Sequence, residues 1–270
     1  RGIAVAVPAL KQAVGDEDLE VATAAIKALS TTIELDELSV LIDLLVSSAS
    51  AEKSAAAKEA LKIAVLRMPD RDATSVKLLA PMDGVSATGK VNLLDLLGIV
   101  GGEKALKGVA AAARSGDDAA QDAATRVLGG WMSPDAAPVL LDLAKAGPEK
   151  FRIRCLRGFI RIPRQFDVTL QGRIAMCRDA MAAATRDAEK ALVLEVLGRN
   201  PSPETLAEVA PYLDDEALHA AASAAAVAIA EKLIDQHPGP VAEVLQEAVE
   251  AEDEEVAGKA RRLLRRAKNQ

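Results

Sequence analysis

The sequence predicts an all-α protein, a solenoid of about eight stacked two-helix repeats, and three observations carry that prediction. The first is composition. Hydrophobic residues fill 50% of the 270 positions while aromatics fill only 2%, so the apolar content is mainly Ala, Leu and Val. Alanine has the best helix propensity and no side-chain entropy to lose, and small side chains let helices pack closely. The second is an i, i+4, i+8 apolar signature that recurs along the whole chain, and residues four apart share one helical face. The third is turn and cap chemistry at GDED, PDRD, GD, GPE, NPSPE, LDDE and QHPGP, between the periodic segments.

The elements follow in order. The opening segment VPALKQAVGDEDLEVATAAIKAL (7–29) aligns without a gap on APVLLDLAKAGPEKFRIRCLRGF (137–159). Pro8 matches Pro138, Leu10 matches Leu140, Ala25 matches Cys155 and Leu29 matches Phe159. Second helices are marked by Val21/Ala25/Leu29, Ala57/Leu61/Val65, Gly89/Leu93/Leu97 and Ala120/Ala124/Leu128. The series continues with Phe151/Cys155/Phe159, Glu189/Val193/Leu197, Ala221/Ala225/Ile229 and Val256/Ala260/Leu264, where Glu189 is the ill-fitting member. First helices precede them near 4–14, 37–48, 72–82, 102–115, 133–146, 169–184, 202–213 and 239–251. The repeats then span approximately 3–31, 36–67, 71–99, 102–130, 133–162, 168–199, 202–234 and 238–268, in a single domain covering 1–270. No unit can bury its apolar stripe alone, so each must stack on its neighbours.

This pattern resembles HEAT repeats, of the short bacterial type called PBS-lyase HEAT-like. The residues that carry the likeness are Pro8/Leu10 and Pro138/Leu140, the V-x-x-x-A-x-x-x-L second helices, and Leu97-Gly98, Leu128-Gly129 and Leu197-Gly198. The resemblance covers essentially the whole chain and implies a right-handed α-solenoid. It is specific for fold and nearly silent on function.

Most chemistry is argued against. Gly84-Val-Ser-Ala-Thr-Gly89-Lys90-Val91 satisfies G-x-x-x-x-G-K, but Val91 stands where Mg²⁺ needs a hydroxyl, and the preceding VKLLAPM reads as a helix end. Gly98, Gly101 and Gly102 form no dinucleotide fingerprint and fit a helix C-cap and turn. The two histidines, His219 and His237, exclude a His-rich metal site, and neither forms the His-Glu pair of HEAT-like deoxyhypusine hydroxylases. Cys155 and Cys177 make no zinc spacing; they lie on neighbouring helices and are either buried thiols or a bridge. The EAEDEE run at 250–255 and the KARRLLRRAK that follows complement a helix dipole. Trp131 is expected to plug the space between repeats four and five. These readings argue against intrinsic catalysis and call for no cofactor and no metal. No uninterrupted apolar run approaches the ~20 residues of a membrane span. The first residue is Arg1 rather than Met, which reads as a segment lacking its native N-terminus, and the compartment stays open between cytoplasm and periplasm.

One surface stands out. Residues 148–166, PEKFRIRCLRGFIRIPRQF, hold all three phenylalanines. On a helical projection with Arg154 at zero, Arg157, Arg161 and Lys150 fall near about 300°, 340° and 320°, opposite Phe151, Cys155, Leu156 and Phe159. The phenylalanines therefore belong to the core rather than to a stacking platform. Second helices line the concave side of HEAT-like solenoids, so Arg126, Lys150, Arg154, Arg157, Arg161 and Arg199 form a candidate anion- or partner-binding patch, flanked by Asp95 and Glu195. Segment 147–186 carries nine basic residues against three acidic ones, leaving +6 there and −13 over the rest of a chain whose net charge is −7. The alternative is a solvated face balanced by neighbouring acids. The expected role is a monomeric, non-catalytic scaffold for a protein or acidic peptide. Its rivals are an auxiliary module of a larger bacterial enzyme and a nucleic-acid-binding protein resembling alkylpurine DNA glycosylases, against which the net charge argues.

Overall fold

A computed structural model of the chain describes residues 4–269. They form sixteen α-helices, with four short 3₁₀ turns and no strand among the described residues. Ile3, the first residue of the expected first repeat, lies outside them. The chain divides into two compact units, 1–132 and 133–270.

The first unit holds α1 (Val7–Ala13), α2 (Leu19–Thr32), α3 (Ser39–Ser47), α4 (Ala51–Arg67), α5 (Arg71–Leu79), α6 (Ala87–Val100), α7 (Gly102–Ala113) and α8 (Asp118–Gly129). Consecutive helices pair as hairpins, α1 with α2 through to α7 with α8. The second members also pack on one another, α2 on α4, α4 on α6 and α6 on α8. The second unit repeats the scheme with α9 (Ala137–Ala146), α10 (Glu149–Gln165), α11 (Leu170–Ala183), α12 (Asp187–Gly198), α13 (Pro203–Val209), α14 (His219–Leu233), α15 (Pro238–Ala248) and α16 (Glu254–Lys268). There α10 packs on α12, α12 on α14 and α14 on α16. Eight HEAT-like hairpins thus stand where the periodicity places them, four in each unit.

The termini of these helices follow from local chemistry. Asp18, Asp70, Asp117 and Ser202 sit at N-caps and accept hydrogen bonds from the first-turn N–H groups of α2, α5, α8 and α13. The GPE, LDDE and QHPGP segments also precede helices, but Pro148, Leu218 and His237 supply no side-chain cap. Gly101 and Gly102 take φ of 65° and 84°, a region that glycine enters without steric cost, and turn the chain from α6 into α7. The nucleotide-loop lookalike is a helix start: Ser86 caps α6 by accepting from the Gly89 N–H, and Lys90 pairs with Asp117 at 3.0 Å.

The core is the predicted stripe, with informative departures. From Ala57 through Leu197, every apolar stripe member is buried. In α2 the buried face is Ala22, Ala25, Ile26 and Leu29, while Val21 is 43% exposed. Ala221, Val256 and Leu264 are half-buried. Trp131 is buried, and Cys155 and Cys177 are buried free thiols rather than a disulfide. No helix among the described residues is long and apolar enough to cross a membrane.

Candidate functional site

The second helices carry a series of polar ties from one repeat to the next. In the first unit, Lys58 on α4 donates to Asn92 at 2.7 Å and to Asp95 at 3.3 Å on α6. Asp95 also accepts from Arg126 on α8 at 2.9 Å. Arg67 reaches the Ser30 and Ile33 carbonyls at the end of α2. Arg126 therefore works as a rung between neighbouring hairpins. On the same unit, Ile63 and Ile99 are exposed, so this face is partly apolar.

The second unit holds the other five candidate residues, all on α10 and just beyond α12. Its centre is Glu189, the residue that fits an apolar stripe worst. Glu189 occupies the stripe position in the first turn of α12 and is only 1% exposed. A buried carboxylate must be hydrogen-bonded and paired to be tolerated. Arg186 donates to it from Nε at 2.8 Å and from Nη2 at 2.7 Å, and Arg157 of α10 donates from Nε at 2.9 Å. These guanidiniums, Arg186 ahead of Arg157, hold the carboxyl below its ordinary value against the opposing effect of burial. Arg157 is thus fixed in place by an acid of the adjacent repeat.

Beside that anchor the α10 and α12 hairpins leave an open cleft of about 710 Å³. Four guanidiniums line it, from Arg157, Arg161, Arg164 and Arg199, and Gln165 joins them; Ile160, Ala188 and Leu192 supply apolar lining. Arg161 donates to Gln165 Oε1 at 2.7 Å and lies over the Phe166 ring, 5.5 Å from its centroid. Its half-buried position lowers its pKa. Arg199 donates to Glu195 Oε1 one turn earlier on the same chain segment. Arg164 Nη2 stands 3.8 Å from that same oxygen. The Glu195 side chain is 42% exposed, unlike that of Glu189.

The structure therefore brings together three of the six residues singled out from sequence, Arg157, Arg161 and Arg199. Lys150 and Arg154 lie one to two turns nearer the start of α10, with their cationic groups 4.9 and 5.2 Å from the centroid of Phe151. Phe151 is a buried core residue whose ring carries these two cations of its own helix. Phe166 is only half-buried, just past α10. Arg164 and Gln165, absent from that set of six, join the cleft because α10 continues through Pro163 to Gln165. Extending the projection would have found Arg164, which falls at about 280° on the basic face.

The class that fold and site define is a HEAT-like helical-repeat protein with an arginine-lined cleft. No family model matches the chain, and no curated protein matches it. Solved structures do. Kap121p aligns over 98% of this chain and 32% of its own, at 13% identity and a TM-score of 0.49. Kap121p bound to Pho4p aligns over 98% and 33%, at 13% identity and 0.48. An engineered protein aligns over 99% and 92%, at 16% identity and 0.42. The chain spans about a third of the length of Kap121p.

Proposed function

We propose that the chain is a non-catalytic interaction scaffold that binds an acidic segment of a protein partner at the α10–α12 cleft. The observation that carries this reading is the cleft itself, in which four guanidiniums surround an opening with apolar lining. Charge-assisted and bidentate hydrogen bonds from arginine to carboxylate or phosphate are the strong ones. The surrounding ion pairs support the reading too, because they hold Arg157 and Arg199 in position before any ligand arrives. The same residues that carry the repeat resemblance favour the short bacterial, PBS-lyase-like branch of HEAT proteins, and the scaffold acts as a monomer.

The test is an affinity pull-down from native host extract, with and without nuclease, comparing wild type with Arg161→Glu/Arg164→Glu. Arg157 is left alone because its loss would expose the buried charge of Glu189. A protein band that survives nuclease and is absent from the variant supports the reading. Bands unchanged in the variant would overturn it.

A further inference from the structure

The two carboxylates beside the cleft differ in kind. Glu189 is buried, fully engaged and structural, whereas Glu195 is exposed and its Oε1 is approached by two guanidiniums at once. Arg199 hydrogen-bonds that oxygen, but Arg164 stands 3.8 Å away, outside hydrogen-bond range. Among the described residues this ion pair is the one polar interaction of Arg164, which donates no hydrogen bond. Its side chain is 45% exposed and lines the cleft. A guanidinium offers five N–H donors in a planar fork. Most of the hydrogen-bonding capacity of Arg164 is therefore unused.

We infer that the α10–α12 cleft takes a phosphomonoester carried on a side chain of a peptide, with Glu195 as an internal place-holder that the phosphate displaces from Arg164 and Arg199. The inference rests on the reading of this cleft as the partner-binding face. An incoming carboxylate would be a near equivalent of Glu195, so the exchange would gain little. A phosphomonoester carries roughly −1.5 to −2 charges and three acceptor oxygens at neutral pH. It can accept from Arg164 and Arg199 together and still present an oxygen towards Arg161. Charge distribution favours a single side chain over an extended polyanion. Segment 147–186 carries +6 and the rest of the chain −13, even with the basic run at 259–268 included, so a nucleic acid or an anionic membrane would meet a net repulsive surface past the cleft.

The experiment measures binding of the full chain to fluorescein-labelled degenerate peptide pools with a central phosphoserine, glutamate or serine. The phosphoserine pool should bind about tenfold tighter than the glutamate pool, a difference of about 1.4 kcal/mol. Glu195→Gln should tighten phosphoserine binding several-fold. Arg164→Gln/Arg199→Gln should abolish it with the thermal melt unchanged, since both side chains are about half-exposed. Inorganic phosphate should compete only at far higher concentration. Equal affinity for phosphoserine and glutamate pools, both lost in the double variant, would overturn the phosphate assignment and leave the acidic-partner reading standing. Unchanged affinity in Glu195→Gln would sink the place-holder. Inorganic phosphate competing as well as the peptide would make this a free-anion site and overturn the inference. If no pool binds and the pull-down variant retains every band, both readings fall.

Discussion

At the scale of single residues, Glu189 shows why a sequence pattern can be right in register and opaque in meaning. The stripe places a carboxylate where every neighbour calls for an apolar group, and nothing local explains it. The explanation is Arg157, a whole repeat earlier, together with Arg186 at the start of the same helix. Glu189→Gln should cost about 2 kcal/mol, the scale of a hydrogen bond to a charged group, measured by urea unfolding near neutral pH. The pH dependence has a definite sign. The folded carboxyl is held below its ordinary 4.5, so its contribution is present above that value and is lost as pH falls through the folded value. Wild type should therefore lose stability more steeply than the variant below about pH 4.5; parallel acid limbs would remove Glu189 as the cause. The thiols give a second residue-scale test. Burial pushes Cys155 up to about 11 and Cys177 up to about 12, outweighing Arg154 and Arg173. The thiolate is the nucleophile, so iodoacetamide at about pH 8 should leave both unlabelled in the native chain and label both in urea, as read by mass spectrometry.

At the scale of elements, the LG pairs seen in the sequence separate into two physical cases. A Cβ on Gly198 would lie 2.9 Å from the Ala225 Cα, so α12 and α14 approach backbone to backbone there. A Cβ on Gly98 would meet Val127 Cγ1 at 2.7 Å, and a β-branched neighbour has little rotamer freedom with which to retreat. Gly129 has nothing within 4 Å of such an atom. Gly198→Ala should therefore destabilise by about 1–3 kcal/mol, the range for overpacking, and Gly98→Ala by somewhat less. Gly129→Ala should be neutral or stabilising by up to about 1 kcal/mol, because alanine loses less backbone entropy in a helix. Thermal melts of the three variants decide it, and equal losses at all three sites would refute the distinction. Helix pairs were legible because each repeat must bury one stripe, and that stripe prints an i, i+4, i+8 code in any single helix. Close approaches were only half legible, since glycine is written alike whether it admits a neighbour or merely ends a helix.

At the scale of the whole molecule, charge rather than shape distinguishes the candidate partners. The helical projection found the basic face of α10 because it depends on one helix alone. It could not tell how closely an acid holds each cleft cation, which for Arg157 and Arg164 depends on contacts a repeat away. Arg157, Arg164 and Arg199 differ in this respect although all three look alike in sequence. The −7 net charge, with +6 on segment 147–186 and a second basic run at 259–268, bears on the nucleic-acid alternative. A protein that neutralises Z phosphates of duplex DNA loses affinity with a log–log salt slope of about −0.9Z. Four cleft arginines set the largest Z this site can reach, and the acidic remainder opposes a duplex that runs beyond it. Duplex DNA should therefore bind weakly at about 50 mM salt and be lost by about 200 mM, whereas a peptide seated in the cleft, where screening is weaker, should keep a measurable affinity. Anisotropy titrations of both probes across that range check it. Tight duplex binding with a salt slope steeper than four arginines allow would mean more phosphate contacts than this cleft holds, and the scaffold reading would give way to a nucleic-acid one. A flat curve would count against the nucleic-acid reading.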